Sequence, residues 1–544
     1  MGTRGLALVV IMVGLVSGCT PLAQLATAPA ATPASTMTPA PNTHPPTLTP
    51  LPTPTSASRP LASPQAPPAS PPVGGTQGGD DQPLQEMALI PAAHADLDLL
   101  DYPTRYRLDL TLDMDGPRLS GHADVLYTNN EDIALHELYF RLFPNMDDEQ
   151  GGGTEIEQIT VEGEPVEPQF ELDRTAMRLP LEPPLAPGAS VEVGLDLQVT
   201  VPLGAGGNYG AFAAQQGVLA LAHFYPFVPV YDDEGWNVEL SPTIGDVIYA
   251  DMSLYDVTLT VPEEMTVVAT GKPLPLVAHD DGTATWRFVS GPARDFNIVL
   301  SHEYEVTRRE VDGITVSSYY LPGDAEGGEV VLDVAAEALR IFGRRFGLYP
   351  YTELDVVATY TSAGGIEYPG LIVIAERLYK DTKGTKGCSD RTEWVVAHEV
   401  AHQWWYNLVG NDQVDEPWLD EALTQYSTSL YYEDRYGETV AQRARRAGFW
   451  DRWEQARKEG RDRAVAGPVA SFDVEDYGPI VYGKGPLFFH HLRQQVGDLV
   501  FDDILCAYFQ EHRYGIATAE SFLAVAEKVS GRDLDALYQQ WILE

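Results

Sequence analysis

Hydrophobic and polar residues alternate with a period near two over residues 88–312. Segments such as "YRLDLTLDMDG", "VEVGLDLQVTV" and "YDVTLTVPEEMTVVATG" show this alternation, and glycine, proline and aspartate separate them. Strict alternation is typical of half-buried strands, whereas long runs with helical spacing are missing from this part of the sequence. The pattern therefore predicts a large, mostly antiparallel β domain over residues 88–312.

The pattern changes over residues 313–544, where apolar residues recur at helical spacing. "EVVLDVAAEALRIFGRRFG" predicts a helix that stops at Gly347, and "ELDVVATY" predicts a strand. "DRTEWVVAHEVAHQWWYNLVG" predicts a helix ending at Gly410, and "DEPWLDEALTQYSTSLYYEDRYG" predicts another with Pro417 in its first turn. The fold class is thus multidomain α+β, with the β domain followed by an α-rich domain.

The front of the chain has the composition of a targeting segment and a tether. Residues 1–19 carry Arg4, the apolar run "LALVVIMVGLVSG" and then Cys19, which resembles a bacterial lipoprotein signal cut before a lipidated cysteine. An ordinary secretory signal or an uncleaved anchor is the alternative, and either also places the chain outside the cytoplasm. Residues 20–87 are rich in proline, threonine, serine and alanine, which predicts a disordered, extended tether. We therefore expect an extracytoplasmic, lipid-anchored protein.

Charge and cysteine content narrow the function classes. The formal net charge is −44, and such a surface repels phosphate groups, so a nucleic-acid partner is excluded. Besides Cys19 the chain has only Cys388 and Cys506, which could form one disulfide or remain two thiols. The same charge keeps the molecule soluble and could attract cationic substrates, and the alternative is an acidic solvated surface without a partner.

The stretch "VVAHEVAHQWWYN" indicates a metal site. His398 and His402 are four residues apart on a predicted helix, so both imidazoles lie on one face. Zinc hydrolases commonly use three protein ligands, and Glu421 on the next predicted helix can supply the third. Glu399 follows His398 directly and suits the base that takes a proton from a zinc-activated water. The alternative interpretation is an ordinary helix that carries two histidines.

Four motifs that follow one another along the sequence indicate which kind of metal site this is. "HEVAHQWWYNLV" and "PWLDEALTQY" hold the histidines and the third ligand, "GGIEYPG" precedes them, and "VYGKG" follows them. This set resembles the gluzincin metallopeptidases of the M1 aminopeptidase type, which carry His-Glu-x-x-His, eighteen residues and then Glu. The resemblance covers most of residues 88–544.

The resemblance implies a saddle-like N-terminal β domain, a thermolysin-like catalytic domain, one Zn²⁺ per chain and peptide substrates. It implies that Glu367 binds the substrate's α-amine, in a motif that also contains Gly364 and Gly365. It implies that Tyr482 donates a hydrogen bond to the oxyanion of the tetrahedral intermediate, with Tyr477 as a second tyrosine of the active site.

The chain departs from the family pattern at two positions. Tyr368 stands where the exopeptidase motif has asparagine, and Thr428 stands where many relatives have an acidic residue that supports a zinc-binding histidine. The sequence ends soon after "LDALYQQWILE", where larger relatives continue into a helical domain that covers the cleft. We therefore expect an open cleft and an altered environment of the metal ligands.

Three functions fit these observations. A surface-anchored zinc aminopeptidase agrees best with the complete set of motifs. A zinc endopeptidase, or an enzyme with a non-peptide substrate in the same cleft, is kept open by the change at Tyr368. A non-catalytic binding lipoprotein on the same fold would not need base, third ligand and oxyanion donor together.

Overall fold

The computed structural model of the chain describes residues 82–239, 244–246, 248–381 and 391–544. Cys19, Cys388 and the predicted signal and tether segments up to residue 81 lie outside the described residues, so their assignments stay predictions. Among the described helices, none combines the length and the apolar character needed to cross a membrane. Cys506 is a free thiol that contacts the carbonyl of Arg345.

The N-terminal part is built from strands, as the alternating pattern predicts. They are β1 (Thr104–Asp113), β2 (Arg118–Thr128), β3 (Leu135–Arg141), β4 (Gly153–Val161), β5 (Glu164–Pro165), β6 (Gln169–Glu171), β7 (Ala176–Leu185), β8 (Ser190–Thr200), β9 (Phe212–Gln215), β10 (Val218–Leu221), β11 (Tyr231–Asp232), β12 (Gly235–Trp236), β13 (Ser253–Pro262), β14 (Thr266–Ala269), β15 (Lys272–Pro273), β16 (Val277–Ala278), β17 (Thr283–Val289) and β18 (Ile298–Ser301).

One large sheet dominates this domain, and smaller sheets pack on it. The order is β15-β17-β13-β1-β2-β8-β4-β5, with β16 paired to β17, and its pairs are antiparallel except β1 with β13. In β1 every second residue is buried, so Leu108, Leu110 and Leu112 face the core while Asp109 and Thr111 face solvent. The sequence period thus fixes which face of the sheet carries the core.

The remaining part is mixed, with one sheet and many helices. Its strands are β19 (Glu305–Val311), β20 (Ile314–Tyr320), β21 (Glu353–Thr359), β22 (Gly365–Tyr368) and β23 (Leu371–Ala375). Its helices, with the short α1 (Gln82–Gln85) near the start of the described chain, are α2 (Ala325–Arg345), α3 (Glu376–Lys380), α4 (Arg391–Ala401), α5 (Pro417–Tyr436), α6 (Glu438–Arg445), α7 (Asp451–Lys458), α8 (Val474–Pro479), α9 (Gly485–Val496), α10 (Asp498–His512), α11 (Ala519–Ser530) and α12 (Asp535–Tyr538).

The second sheet has the order β19-β20-β21-β23-β22, so β22 is an edge strand. β20 and β21 pair in parallel, as do β21 and β23, while β19 and β22 pair antiparallel to their neighbours. The predicted domain boundary at residues 312 and 313 falls in the turn of the β19–β20 hairpin, both strands of which belong to this sheet. The observed architecture, a β-rich part followed by an α-rich part, confirms the predicted α+β class.

Helix α4 is shorter than the sequence pattern predicts. The pattern extends it to Gly410, but the regular helix ends at Ala401. Gln403 N and Trp404 N donate to the carbonyls three residues back, which tightens the chain into turns. The apolar run continues through these turns because Trp404 and Trp405 are buried, and burial rather than helix formation explains it.

The β-rich part and the α-rich part contact each other through buried polar groups. The guanidinium of Arg294 donates to the carbonyls of Tyr406 at 2.6 Å, Ala250 at 2.7 Å and Gly515 at 2.6 Å. Beside it, buried Asp295 accepts from Tyr406 Oη at 2.5 Å and contacts His223 Nε2 at 2.9 Å. These contacts fix the turn after α4, and with it the histidines, against the β domain.

Candidate active site

His398 and His402 lie at the end of α4 and approach Glu421 on α5. His398 Nε2 is 3.2 Å and His402 Nε2 is 3.4 Å from Glu421 Oε2, and the two Nε2 atoms are 3.3 Å apart. All three residues are buried. His402 Nδ1 faces the carbonyl of Trp405 at 2.9 Å, so Nδ1 carries the proton and the Nε2 lone pair faces the other two donors. The early end of α4 brings this carbonyl into place.

These separations fit a zinc ion. In a tetrahedral site with bonds of about 2.0–2.1 Å, neighbouring donor atoms lie about 3.3–3.4 Å apart. The three observed separations, 3.2, 3.3 and 3.4 Å, are those of one face of such a tetrahedron. Two imidazole nitrogens and one carboxylate oxygen are also a donor set that zinc prefers. The residues thus fit one Zn²⁺ with three protein ligands, the set that catalytic zinc sites combine with a water molecule.

Glu367, His402 and Asp420 also come close enough together to be considered as a metal site. Asp420 already accepts hydrogen bonds, from Asn411 Nδ2 at 3.0 Å and from Gln413 Nε2 at 2.8 Å. Its carboxylate also lies 3.9 Å from Nδ1 of His402, the nitrogen that faces the Trp405 carbonyl. We therefore assign Asp420 to the support of His402 and keep Glu421 as the ligand.

The electrostatics of the three ligands suit a cation. Burial lowers the pKa of His398 and outweighs its hydrogen bond to the carboxylate of Glu421, which would raise that pKa. Burial alone would lower the pKa of His402. The negative charges of Glu367 and Glu421 outweigh burial and raise this pKa well above the ordinary value. Burial would raise the pKa of Glu421, but the nearby His402 holds it well below its usual range. The same carboxylates that favour a positive charge on His402 would favour a metal cation beside it.

Glu399 faces the same space from α4. Its side chain lies against Gly365 of β22, where an added Cβ would come within 2.6 Å of Glu399 Oε1. Burial, followed by the carboxylate of Glu367, raises the pKa of Glu399 well above the ordinary value. A carboxylate with a raised pKa next to a metal site is suited to accept and return a proton. This position allows the role of base that the sequence predicts for Glu399, and the role stays a prediction.

Glu367 on β22 faces the cleft beside Glu399. Successive residues of a strand face opposite sides, so Gly365 and Glu367 share the side that faces α4. Glu367 Oε1 accepts from Gln413 Nε2 at 3.3 Å. Gln403 holds the following turn, because its side chain donates to the Tyr368 carbonyl at 3.1 Å and accepts from Gly370 N at 2.8 Å.

Tyr482 and Tyr477 close the other side of the site. The Tyr482 hydroxyl donates to Glu421 Oε1, the carboxylate oxygen that is not shared with the histidines. The Tyr477 ring lies 5.8 Å from that of Tyr482, and within the described chain its buried hydroxyl has no hydrogen-bond partner. Burial, followed by Glu421, raises the pKa of both phenols well above the ordinary value, so both are hydrogen-bond donors. Gly364 lies slightly outside this group, against Val395.

The two departures from the family pattern have structural explanations. Tyr368 points to the side of β22 opposite Glu367, and its buried ring lies edge-on to His223 at 5.8 Å. Thr428 Oγ1 donates to the carbonyl of Thr424 in its own helix at 3.0 Å. His402 is held instead by the Trp405 carbonyl, with Asp420 nearby. Neither the Tyr368 nor the Thr428 side chain therefore lies among the donor atoms of the proposed zinc site.

Asp246 is a site residue that the sequence did not reveal. It comes from the β domain, directly after Gly245, whose N–H donates to Tyr209 Oη at 3.0 Å. Burial, the carboxylates of Glu367 and Glu421 and a hydrogen bond with Glu421 raise its pKa well above the ordinary value. No motif marks this position, and only the fold brings it to α5. The cleft therefore holds a second carboxyl group next to Glu367.

Comparison with known proteins agrees with this geometry. Residues 330–541 match the peptidase family M1 domain. Aminopeptidase M1 of Arabidopsis thaliana is 29% identical over 247 residues, which cover 42% of this chain and 27% of that protein. Aminopeptidase 2, mitochondrial, of Saccharomyces cerevisiae is 26% identical over 245 residues, which cover 42% of this chain and 25% of that protein. The match thus spans about a quarter of the length of these relatives.

Solved structures share the fold over a longer span. The M1 zinc metallopeptidase of Deinococcus radiodurans superimposes with a TM-score of 0.63 at 20% identity, covering 81% of this chain and 94% of that one. A point mutant of the same enzyme, bound to a Tyr-Ser-Ala substrate, gives a TM-score of 0.61 at 19% identity and covers 81% and 95%. This likeness extends the shared fold beyond the matched domain into the β-rich part.

A His-His-Glu donor set between α4 and α5, with a carboxylate beside it, is typical of a catalytic zinc site with three protein ligands. Residues 330–541, which match the peptidase family M1 domain, contain the whole of this donor set. The resemblance that the motifs indicate is thereby confirmed, together with the zinc cofactor.

Proposed function

We propose that the protein is a zinc aminopeptidase that removes N-terminal residues from peptides. The observation that carries the proposal is the placement of Glu367, buried to 6% exposure, beside the base and the metal ligands. A protonated amine that enters such a site needs a carboxylate partner, because an isolated buried charge is costly. A carboxylate one residue from the scissile bond selects for a free N-terminus.

The side chains divide the chemistry among them. His398, His402 and Glu421 would hold Zn²⁺, which would supply Lewis acidity and lower the pKa of a water molecule. Glu399 accepts a proton from the attacking water and returns it to the leaving amine. Tyr482, kept protonated by its surroundings, donates to the developing oxyanion, a contribution of about 3–4 kcal/mol for such donors.

Asp246 strengthens the case for amine recognition. Its carboxyl group lies near Glu367 but belongs to the other structural part, so the amine site is formed where the two parts meet. Two carboxyls that face one cation bind it better than one, since the second offsets the desolvation of the ammonium. This role for Asp246 is part of the proposal.

The cellular location is proposed from the sequence alone. The apolar run of residues 1–19, with Cys19 at its end, supports a lipid-anchored protein at the outer face of the cytoplasmic membrane. Peptides in that compartment are then the substrates. Radiolabelled fatty acid incorporated into the wild type and absent from Cys19→Ala tests the anchor.

An endopeptidase is the second candidate, and one assay separates the two. Aminoacyl amides with free and acetylated N-termini are supplied to the purified protein, with and without a chelator. An aminopeptidase cleaves only the free series and stops when the chelator is added. Equal rates on both series would establish the endopeptidase instead.

A further inference from the structure

The backbone of Tyr406 has a conformation that residues with a side chain rarely adopt. Its φ is 124°. Ten other described residues that are not glycine have a positive φ, and all ten lie between 46° and 69°, in or near the left-handed helical region. Tyr406 lies well outside that region, where contact between the Cβ and the neighbouring peptide groups disfavours every residue but glycine. Such a conformation persists only where the surrounding structure holds it, and it occurs most often at functional sites.

Three hydrogen bonds hold Tyr406 in this conformation. Its N–H donates to the carbonyl of Val409 at 2.9 Å, and its carbonyl accepts from Arg294 Nε at 2.6 Å. Its ring is buried, and its hydroxyl donates to Asp295 Oδ2 at 2.5 Å. The bond to Asp295 is the one of the three that depends on the tyrosine side chain, so a substitution can remove it and leave the other two in place.

Asp295 is a fixed acceptor for this hydroxyl. Its side chain is fully buried, and Asn297 Nδ2 donates to its Oδ1 at 2.8 Å. His223 Nε2 lies 2.9 Å from Oδ2, the oxygen that Tyr406 also reaches. Because both oxygens have partners, the carboxyl group is held in one orientation. The β-rich part therefore offers Tyr406 an acceptor at one defined point.

The φ of Tyr406 sets the direction of the Trp405 carbonyl. The atoms between the Cα of Trp405 and the Cα of Tyr406 form one planar peptide group, so rotation about φ turns this carbonyl relative to the Tyr406 side chain. The Trp405 carbonyl accepts from His402 Nδ1 at 2.9 Å. Relaxation of φ toward the negative values that tyrosine prefers would therefore turn the acceptor away from His402.

This carbonyl decides which nitrogen of His402 is able to bind a metal. A carbonyl only accepts, so it keeps the proton on Nδ1 and leaves the lone pair of Nε2 for a cation. The Thr424 hydroxyl lies 3.3 Å from the same Nδ1, and a hydroxyl can donate as well as accept. Without the Trp405 carbonyl, Thr424 can donate to Nδ1 and favour the tautomer with its proton on Nε2. That tautomer has no lone pair on the nitrogen that faces His398 and Glu421.

We propose that Tyr406 and Asp295 are positioning residues of the zinc site. Their hydrogen bond holds the φ of Tyr406 at its disfavoured value, which keeps the Trp405 carbonyl on His402 Nδ1 and the Nε2 atom of that ring available to the metal. Both residues act through His402, and loss of such partners of a metal-binding histidine changes metal affinity by about 10- to 100-fold. The inference goes beyond the proposed aminopeptidase function, because it holds whichever substrate the enzyme cleaves.

Two substitutions at Tyr406 separate the hydrogen bond from the packing of the ring. Tyr406→Phe keeps the ring and the Cβ, so φ remains disfavoured while the bond to Asp295 is lost. Tyr406→Gly loses the ring, but glycine adopts this φ without the clash of a Cβ, and its N–H and carbonyl keep their partners. If Tyr406 served packing alone, the glycine variant would bind zinc more weakly than the phenylalanine variant. The proposed role predicts the opposite order.

Tyr514→Phe is the matched control. Tyr514 is also buried, has a φ of 69° and donates its hydroxyl to Asp96 Oδ2 at 2.8 Å. Like Tyr406→Phe, this variant loses one hydrogen bond between a tyrosine and an aspartate, so its melting temperature should also fall. The lost bond lies at Asp96 and not at the peptide group that faces His402.

The measurements use the metal alone. Each protein is stripped of metal, and its affinity for Zn²⁺ is measured by competition with a chromogenic chelator. The absorption spectrum of the Co²⁺-loaded protein reports the geometry of the ligands, and the melting temperature reports stability. We expect Tyr406→Phe to bind zinc about 10- to 100-fold more weakly than the wild type and to show a changed cobalt spectrum.

The other two variants should keep the metal site. Tyr406→Gly should bind zinc within about threefold of the wild type although its melting temperature is lower, because its φ is no longer disfavoured. Tyr514→Phe should match the wild type in zinc affinity and in the cobalt spectrum. If Tyr406→Gly does not fold, Tyr406→Phe and Tyr514→Phe carry the test, and a loss of zinc affinity confined to Tyr406→Phe supports the proposal.

Three results would overturn the proposal. The first is zinc binding by Tyr406→Phe within about threefold of the wild type, with an unchanged cobalt spectrum. The second is weaker zinc binding by Tyr406→Gly than by Tyr406→Phe, since the loss would then follow the packing of the ring. The third is an equal loss in Tyr514→Phe, which would show that zinc affinity follows stability. No substrate enters these measurements, so their outcome is separate from that of the aminopeptidase assay.

Discussion

Replacement of Glu367 by glutamine isolates the role of one charge in the cleft. The variant keeps the shape of the side chain, and its Oε1 can still accept from Gln413 Nε2, which is 3.3 Å away. Burial, opposed by the charge of His402, raises the pKa of Glu367, so loss of its charge should not destabilise the fold. The melting temperature should therefore stay equal or rise slightly.

The expected effect on catalysis is large. Leaving one partner of a buried ion pair uncompensated costs about 3–5 kcal/mol, or roughly 150- to 5,000-fold. Asp246 remains next to the amine, so we expect the lower part of this range, about 150- to 500-fold in kcat/KM. An acetylated N-terminus carries no charge, and the variant should cleave such a peptide no more slowly than the wild type does.

The assay compares one free and one acetylated peptide of the same sequence on both enzymes. Glu337→Gln is the control, since Glu337 pairs with Arg340 on α2 and lies in no part of the site. A Glu367→Gln enzyme that stays within about threefold of wild type on the free peptide would refute the reasoning. An equal loss on both peptides would refute it too, because it would show a general distortion of the site.

Three further changes have distinct expected outcomes. Glu399→Gln should retain zinc and lose most turnover, because Glu399 is the base and not a ligand; metal analysis with steady-state kinetics checks this. Tyr482→Phe should retain zinc and lower kcat by about 100- to 1,000-fold with little change in KM, since its hydrogen bond forms chiefly in the transition state; an unchanged kcat would remove Tyr482 from the mechanism. Arg294→Met should lower the free energy of unfolding by at least about 3 kcal/mol, because buried carbonyls such as that of Tyr406 lose their donor; urea denaturation measures it.

The sequence predicts those parts of the site that lie in continuous motifs. The spacing of His398, His402 and Glu421 depends on two helices, and Pro417 does stand at the start of α5 as predicted. Such local patterns determine geometry directly, because residues four positions apart on a helix lie on the same face. The β domain was likewise predictable, since alternation specifies strands whichever neighbours they pair with.

Groups that tertiary packing brings together could not be predicted in this way. Asp246 reaches the cleft from a distant segment that contains no recognisable motif. The end of α4 at Ala401 was also missed, because a buried "HQWWYN" turn keeps the apolar pattern of a helix. The β19–β20 hairpin alternates like the strands of the β domain, and only its pairing with β21 assigns it to the second sheet.

The most direct test of the account is zinc binding by the purified wild type and by His402→Ala. The protein is stripped with a chelator, titrated with Zn²⁺ in a calorimeter and assayed on leucine amide at each step. We predict binding of one Zn²⁺ per wild-type chain with activity rising in proportion, and loss of both in His402→Ala. Zinc binding by His402→Ala equal to that of the wild type, or full activity of the stripped wild-type protein, would contradict the assignment of the site.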